Sequence, residues 1–199
     1  MFKQSFHIFA LVILVHIVSS CSKDPIEGSG TITTETINID SFTGIRVEGV
    51  SDVYINYGPE QAVEATGHPN IISRIQTDVV NGVWQVELES GNYGEYELTY
   101  YITLPAINRV TSIGTGDVII SDFIDQPEIQ ISLEGTGQYQ GFELIIEDCT
   151  VDILGSGDCQ VTVNNSLDVT IEGSGNLYYK GAPTIKQDIT GSGSIVDSN

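Results

Sequence analysis

Apolar and polar residues alternate along most of the chain. From Ile37 onward, apolar side chains recur at every second position in short segments, such as Val53, Ile55 and Tyr57. This period of two places one side of each segment in a core and the other in solvent, as in half-buried β-strands. The only place for a helical turn is Pro69 to Ile75. The pattern therefore predicts an all-β protein.

One hairpin can be placed from its turn. Asn81-Gly82 lies between two alternating segments, and Asn-Gly readily adopts the positive φ angles of a type I′ turn. We therefore predict a hairpin of residues 76–80 and 83–89. Trp84 shares a face with Val86 and Leu88, so we expect it in the core, although an aromatic side chain could also stack on a sugar ring.

A Gly-(Thr/Ser)-Gly motif recurs in the second half of the chain, at successive spacings of 21, 20, 18 and 18 residues. A repeat of this length with internal alternation is typical of a β-solenoid. Glycine suits these positions because tight corners demand φ angles that other residues resist. The predicted corner residues are Gly114, Gly116, Gly135, Gly137, Gly155, Gly157, Gly173, Gly175, Gly191 and Gly193.

Alignment on these glycines produces columns of apolar residues on either side of each corner. The inward columns are Leu133/Ile153/Ile171/Ile189, Ile131/Val151/Val169, Ile129/Cys149/Leu167/Ile185 and Val118/Tyr139/Cys159/Leu177/Ile195. We therefore predict a β-rich N-terminal part with the hairpin (residues 34–105), followed by a parallel β-solenoid, or β-helix, of about five coils (residues 106–199). Each coil would hold two strands and stack about 4.8 Å from the next.

The outward columns give an independent check on this stacking. In four columns the aligned residues never set one carboxylate on another, although the chain is strongly acidic. Like charges directly opposite each other destabilise paired strands. The columns are Glu134/Leu154/Glu172/Thr190, Ser132/Asp152/Thr170/Asp188, Gln130/Thr150/Asp168/Lys186 and Asp117/Gln138/Asp158/Asn176/Ser194.

The first residues have the layout of an export signal. Lys3 precedes an apolar run from Phe6 to Val18, which ends in small residues, so we assign residues 1–20 to a secretory signal peptide. Val18-Ser19-Ser20-Cys21 is similar to a bacterial lipobox, which predicts that Cys21 carries lipid and anchors the protein to a membrane. Residues 21–33 are interpreted as the tether.

Charge and cysteine content narrow the classes of partner. The formal net charge is −20, and removal of Lys3 with the signal peptide leaves 6 basic and 27 acidic residues, or −21. Nucleic acid and anionic lipid are therefore disfavoured as partners. Cys149 and Cys159 occupy apolar columns, and we expect both to be buried free thiols rather than a disulfide.

Three features together resemble one family of Bacteroidota lipoproteins. They are the lipobox, the Phe42–Val47 and Gly49–Ile55 segments, and the repeated Gly-Ser-Gly corners. The family is the auto-transporter adhesin, head GIN domain family, and the likeness covers about residues 40–195. The resemblance implies a β-solenoid fold and an exported location, and it offers no catalytic residues to carry over. Ser22-Lys23-Asp24 resembles the start of a surface-export tract, which Pro25 interrupts, so a surface-exposed and a periplasm-facing position on the outer membrane both stay open.

Candidate chemistry is sparse. His68 is the single histidine after the signal peptide, and no nucleophile, zinc or nucleotide motif accompanies it, so we assign no catalytic, cofactor or metal residue. Asp117, Asp158 and Asn176 could bind calcium or hydrogen-bond the corner backbone, and the second role is favoured.

The function expected from the sequence is a non-catalytic, adhesin-like binding module of the cell envelope, with a glycan or an envelope protein as ligand. Tyr101 and one of Tyr178 and Tyr179 are candidates for stacking on sugar rings. The alternatives are a carbohydrate-active enzyme that uses a carboxylate pair and a purely structural envelope protein. The sequence leaves the oligomeric state open.

Overall fold

The computed structural model describes residues 24–199, which form an all-β structure, as the alternation predicts. The strands of the first half are β1 (Thr33–Thr36), β2 (Gly44–Gly49), β3 (Asp52–Tyr57), β4 (Ala62–Gly67), β5 (Val79–Val80), β6 (Val83–Val86) and β7 (Leu98–Leu104). Those of the second half are β8 (Arg109–Gly114), β9 (Val118–Ser121), β10 (Gln126–Gly135), β11 (Tyr139–Gly155), β12 (Cys159–Gly173), β13 (Leu177–Gly181), β14 (Thr184–Gly191) and β15 (Ile195–Asp197).

These strands belong to one curled sheet with two walls. The front wall contains, in spatial order, β6, β2, β8, β10, the C-terminal half of β11, the C-terminal half of β12, and β14. The back wall contains β7, β3, β9, the N-terminal halves of β11 and β12, then β13 and β15. All of these neighbours are parallel. The core lies between the walls because alternate side chains of each strand point inward.

The long strands β11 and β12 each pass from the back wall to the front wall. In β11 the passage coincides with register shifts between Gly141 and Ile145 and between Ile146 and Asp148. Irregularities of this kind bend a strand and increase its local twist. The bend lets one continuous strand serve both walls.

The pairing confirms the predicted columns. Gly114, Gly135, Gly155, Gly173 and Gly191 are aligned on successive front-wall strands, and Val118, Tyr139, Cys159, Leu177 and Ile195 are aligned on the back wall. Inward residues of the central strands, such as Val151, Ile153 and Leu167, are fully buried. The repeat in the sequence is therefore a repeat of aligned strands.

Parallel pairing also extends into the N-terminal half. β2 pairs with β8 and places Gly49 beside Gly114, while β3 pairs with β9. On their other sides, β2 and β3 pair with β6 and β7. The strands β2 and β3 thus occupy the same two walls as the Gly-X-Gly strands.

The base of the stack is the end formed by β5, β6, β7, β4 and β1, and it ends in antiparallel strands. β5 and β6 form the predicted hairpin, in which Asn81 and Gly82 have φ angles of 53° and 77°. Trp84 is fully buried, as predicted for a core residue. The helix α1 (Pro69–Ile72) lies where the helical turn is predicted.

Part of the predicted tether is bound to the body. The backbone N–H of Ile26 donates to the carbonyl of Asn92 at 2.7 Å, and that of Gly28 donates to Glu95 at 2.8 Å. The Glu27 side chain accepts a hydrogen bond from the backbone of Glu95 at 2.7 Å. The chain is therefore fixed to the base from Ile26 onward, which shortens the segment that can act as a free linker. The signal peptide and Cys21 lie outside the described residues.

Candidate functional site: corners, outer columns and hollows

The first glycine of each corner has an unusual backbone conformation. The φ angles of Gly114, Gly135, Gly155, Gly173 and Gly191 lie between +129° and +145°, a range that side chains with a Cβ atom resist. Each also lies against the corner below it: a Cβ atom on Gly155 would approach the carbonyl oxygen of Gly135 to 2.4 Å. Both conformation and space require glycine here.

The second glycine is required for space alone. The prediction that Gly157 holds a φ angle resisted by side chains is wrong, because Gly157 is not among the positive-φ residues of the described range. A Cβ atom at Gly157 would instead lie 2.1 Å from the carbonyl oxygen of Gly137. The corners are stacked so closely that backbone occupies the position of a side chain.

A ladder of polar side chains follows the corners. Asp117 accepts a hydrogen bond from the backbone N–H of Gln138 at 2.9 Å, and Asp158 accepts from that of Asn176 at 2.8 Å. Asn176 in turn accepts from the backbone N–H of Ser194 at 3.2 Å. The Asp and Asn side chains thus satisfy corner N–H groups of the next layer, which is the favoured role in the sequence analysis. No group of three or more potential metal-ligating His, Cys, Asp or Glu residues occurs within residues 24–199.

The outward columns alternate as the sequence predicts. On the front wall, Glu134, Leu154, Glu172 and Thr190 are successive neighbours, so exposed acids are separated by uncharged residues. Acidic neighbours do occur beyond the four predicted columns: Glu128 lies beside Asp148, and Asp52 lies next to Asp117, from whose backbone N–H it accepts a hydrogen bond at 3.0 Å. Asp148 accepts hydrogen bonds from Asn165 at 2.7 Å and Ser166 at 2.5 Å, which help to stabilise its charge.

A hollow of about 600 Å³ lies at the base. It is lined by three carboxylates, Glu27, Glu95 and Glu97, together with His68 and Tyr96. His68 accepts a hydrogen bond from the backbone N–H of Glu97 at its Nδ1 atom, at 3.1 Å. Partial burial, and secondarily Tyr93, raises the pKa of Tyr96. Two of the polar groups, His68 and Glu27, thus hold neighbouring backbone in place.

Two smaller hollows adjoin each other on the outside of the front wall. One, of about 300 Å³, is lined by Arg46, Val83 and Gln85, and the other, of about 380 Å³, by Gln130, Ser132 and Asp152. Arg109 and Thr111 line both. This surface combines hydroxyl, amide and guanidinium groups at strand spacing, so it can form several hydrogen bonds with one extended ligand.

The tyrosines named as sugar-stacking candidates differ in their availability. Tyr101 is 43% exposed, but its ring stacks on that of Tyr54, with centroids 5.4 Å apart and an interplanar angle of 16°. One ring face of Tyr101 is therefore covered. Tyr179 packs against the core, and Tyr178 is half-buried. The aromatic side chains provide a weaker ligand platform than the front-wall hollows.

A family profile matches most of this fold. The profile of the family described as "Putative auto-transporter adhesin, head GIN domain" matches residues 41–139 and 128–183. The chain belongs to this family. The part of the chain that matches the family profile includes β2 to β13 and the first four Gly-X-Gly corners. No curated protein matches the chain.

Two solved structures have a similar fold. A putative adhesin from Bacteroides fragilis has a TM-score of 0.59 and 20% identity, over 85% of this chain and 98% of that protein. A putative adhesin from Parabacteroides merdae has a TM-score of 0.51 and 17% identity, over 88% of this chain and its own full length. At these identities the likeness supports the fold of this head GIN domain chain.

Membership in an adhesin family suggests an exported or envelope protein. Within residues 24–199 there is no helix of the length and hydropathy needed to cross a membrane. The predicted attachment point of this head GIN domain protein, Cys21, precedes the described residues.

Proposed function

We propose that the protein is a lipid-anchored, non-catalytic adhesin of the cell envelope, which binds glycans on the outer face of a β-solenoid. The observation that carries the proposal is the regular front-wall column Arg46, Thr111, Ser132, Asp152 and Thr170, whose members are successive strand neighbours. Such a column offers hydrogen-bonding groups about 4.8 Å apart along the wall. A polymer of repeating polar units matches this pattern.

The solenoid interpretation rests on the order in which the chain visits the walls. From β8 to β15, the chain runs five times from a front-wall strand through a corner to a back-wall strand. It makes a similar passage at Gly49, from β2 on the front wall to β3 on the back wall. A fold of this kind gives a rigid surface, which lowers the entropic cost of binding.

A glycan is favoured over a protein as ligand by the character of the outer surface. Protein interfaces need a central cluster of large apolar or aromatic side chains. On the front wall, the exposed Leu154 is isolated between Glu134 and Glu172. The front-wall hollows, which are lined by hydroxyl and amide groups, suit sugar hydroxyls instead.

The base hollow is where an enzyme would be sought. Its three carboxylates, Glu27, Glu95 and Glu97, could include the pair that a glycosidase needs. Glu27, however, accepts a backbone hydrogen bond from Glu95. We therefore assign this hollow a structural role and keep turnover of the ligand as the outcome that would favour the enzyme.

The anchor would hold the base toward the membrane. Ile26, whose backbone is fixed to the body, lies five positions after Cys21, so their Cα atoms are at most about 18 Å apart. The back wall, with β4 and β1, contains nine strands from β1 to β15, a height of roughly 38 Å at 4.8 Å per step. The stack of strands would then rise from the bilayer, with the front wall along its side.

Replacement of Cys21 by Ala tests the anchor. We expect the variant to lose fatty-acid label and to leave the membrane fraction or remain unprocessed, because the thiol is the proposed site of acylation. Metabolic labelling with a fatty acid measures this directly, and a Cys149→Ala variant serves as the control. Undiminished label in the Cys21 variant would rule out the lipobox.

A glycan array tests the binding function. The chain from Ser22 onward, which contains every described residue, is applied to the array, and each glycan that binds is recovered and weighed by mass spectrometry. We expect saturable binding of an unchanged glycan. Cleavage of the glycan would favour the carbohydrate-active enzyme, and an array without any binding would favour a purely structural envelope protein.

A further inference from the structure

We propose that a notch on the front wall, the hollow lined by Val83, Arg46 and Arg109, binds the carboxylate of an acidic sugar residue. The inference rests on the proposed glycan-binding function and names the class of glycan. It also assigns the principal contact to Arg109.

The apolar and cationic sides of the notch are held together where one strand lacks a side chain. Val83, Gly44 and Arg109 are successive neighbours on β6, β2 and β8. A Cβ atom on Gly44 would lie 3.1 Å from both the Cβ of Arg109 and a methyl carbon of Val83. Even a methyl group would be crowded here, so glycine lets the side chains of Val83 and Arg109 approach each other closely above the buried backbone of Gly44. The hollow therefore has an apolar side next to a cationic side.

Arg109 has an unusual environment for a cation in so acidic a chain. Its Nη2 atom donates to the Oε1 atom of Gln130 at 2.8 Å, and no carboxylate within residues 24–199 forms an ion pair with it. The neutral Gln130 orients the guanidinium without neutralising it. Its remaining N–H groups are free to donate to a ligand.

Arg46 adds a second guanidinium to the notch. It lies on β2 beside Thr111, two positions along from the Gly44–Arg109 pair, and it lines the same hollow as Arg109. Its charge is shared with Glu48, in an ion pair whose side chains are 37% exposed. Surface pairs of this kind contribute little to stability, so a ligand carboxylate can compete for Arg46.

The surroundings favour a carboxylate over a more highly charged anion. A guanidinium presents a planar fork that can bind both oxygens of a carboxylate. Glu128 and Asp152 line the hollows on the other side of Arg109, and the chain carries a net charge of −20. Repulsion from these charges rises with ligand charge, which favours a singly charged group over a phosphate or sulfate cluster.

The rest of a sugar chain would find partners on either side. Val80, which is exposed, and Val83 can contact the apolar face of a sugar ring. Gln85, Thr111 and Thr150 can hydrogen-bond its hydroxyls. From β6 to β11 the surface spans four strand spacings, or roughly 19 Å, so it accommodates an oligosaccharide.

Isothermal titration calorimetry with matched probes tests the site. The probes are a galacturonate oligosaccharide, its methyl-esterified counterpart, sialyllactose and lactose, each titrated into the chain from Ser22 onward. We expect an acid form to bind more tightly than its neutral counterpart. Arg109→Gln should weaken that binding about tenfold or more, because it removes a charge-assisted hydrogen bond.

Lys186→Gln is the matched control, because it removes the same charge from the same wall at a lysine already paired with Asp168. We expect it to alter affinity less than about twofold, and thermal melts verify that both variants fold. Equal affinity of the acid for Arg109→Gln and the parent would overturn the site. Binding of neutral sugars alone would overturn the inference and leave the proposed function standing, whereas a lack of binding to these probes and to every array glycan would overturn both.

Discussion

At the residue scale, glycine is held at the corners by two different constraints. Gly155 needs a φ of +145°, whereas Gly157 needs the absence of a Cβ atom above the Gly137 carbonyl. Gly49 separates these effects, because its φ is +112° but nothing lies within 4 Å of its Cβ position. The steric requirement arises only where another corner lies beneath.

Gly157→Ala should lower the free energy of unfolding by about 1–3 kcal/mol, because the new methyl group forces the stacked corners apart. Ser156→Ala, in the exposed middle position of the same corner, should change it by no more than about 0.5 kcal/mol. Urea denaturation of both variants measures the difference. Equal stabilities would contradict the stacked-corner account.

The two core cysteines make stability depend on pH. They are buried and free, as the sequence predicts; burial raises the pKa of Cys149 to about 12. Burial, followed by Cys149 and Asp158, also raises the pKa of Cys159. Thiols of the unfolded chain ionise near pH 8.5. The contribution of these protonated thiols to the free energy of unfolding is therefore fully present below about pH 8.5 and is lost as the pH rises toward 12.

We expect the urea concentration at the midpoint of denaturation to decrease as the pH is raised from 8 to 10.5, and to decrease less in a Cys149→Val/Cys159→Val variant.

Thiol titration at pH 8 should detect no reactive thiol in the native chain from Ser22 onward and two in denaturant without reductant. If two thiols appear only after reduction, the cysteines form a disulfide and the core assignment is wrong.

At the element scale, the polar ladder joins neighbouring layers where backbone pairing is interrupted. Asp158 accepts from both the backbone N–H and the side-chain amide of Asn176, at 2.8 and 3.2 Å. The corner residues between strands cannot all pair with wall neighbours, so side chains supply the missing acceptors. The ladder stabilises the corners by hydrogen bonding, while the columns of apolar residues stabilise the walls.

Asp158→Ala should destabilise the protein by about 1–3 kcal/mol, because it leaves a partly buried N–H without its acceptor. Asp158→Asn retains an acceptor oxygen and should stay close to the parent. Thermal melts of the two variants compare these effects. A loss as large for Asn as for Ala would show that charge, rather than the hydrogen bond, is what Asp158 contributes.

Some elements could be predicted from sequence because their signals are local. The Gly-X-Gly spacing aligns the strands on the walls, and Asn81-Gly82 determines its hairpin. The corner at Gly49-Val50-Ser51 is harder to recognise, since its third residue is Ser51. Serine is tolerated there because no such corner lies beneath it, while Gly116 stacks on its carbonyl.

The candidate sites have no comparable local signal. The base hollow joins Glu27, His68 and Tyr96 from three separate segments. The front-wall notch depends on Gly44 and Arg109, which become neighbours only when β2 pairs with β8. Such contacts between distant residues follow from the strand order, which composition and spacing do not specify for the N-terminal half.

At the scale of the whole molecule, both ends of the stack carry features that oppose its continuation. At the far end, Gln187 occupies the inward column of Val151 and Val169, and Asp197 lies beside the half-buried Tyr179. Polar groups at inward positions of an edge strand disfavour pairing with another copy. At the base, β1, β4 and the β5–β6 hairpin change the pairing to antiparallel.

The in-register stack is the central claim, because the corner chemistry and the proposed glycan surface both depend on it. Oxidative cross-linking tests it with Asp152→Cys/Thr170→Cys, at outward positions of adjacent strands, and with Ser132→Cys/Thr170→Cys, two strands apart. Their Cα atoms should be about 4.8 and 9.6 Å apart, on either side of the roughly 7 Å limit for a disulfide. We predict an intramolecular disulfide in the first variant alone. Failure of the first to cross-link, or equal cross-linking of both, would contradict the stack.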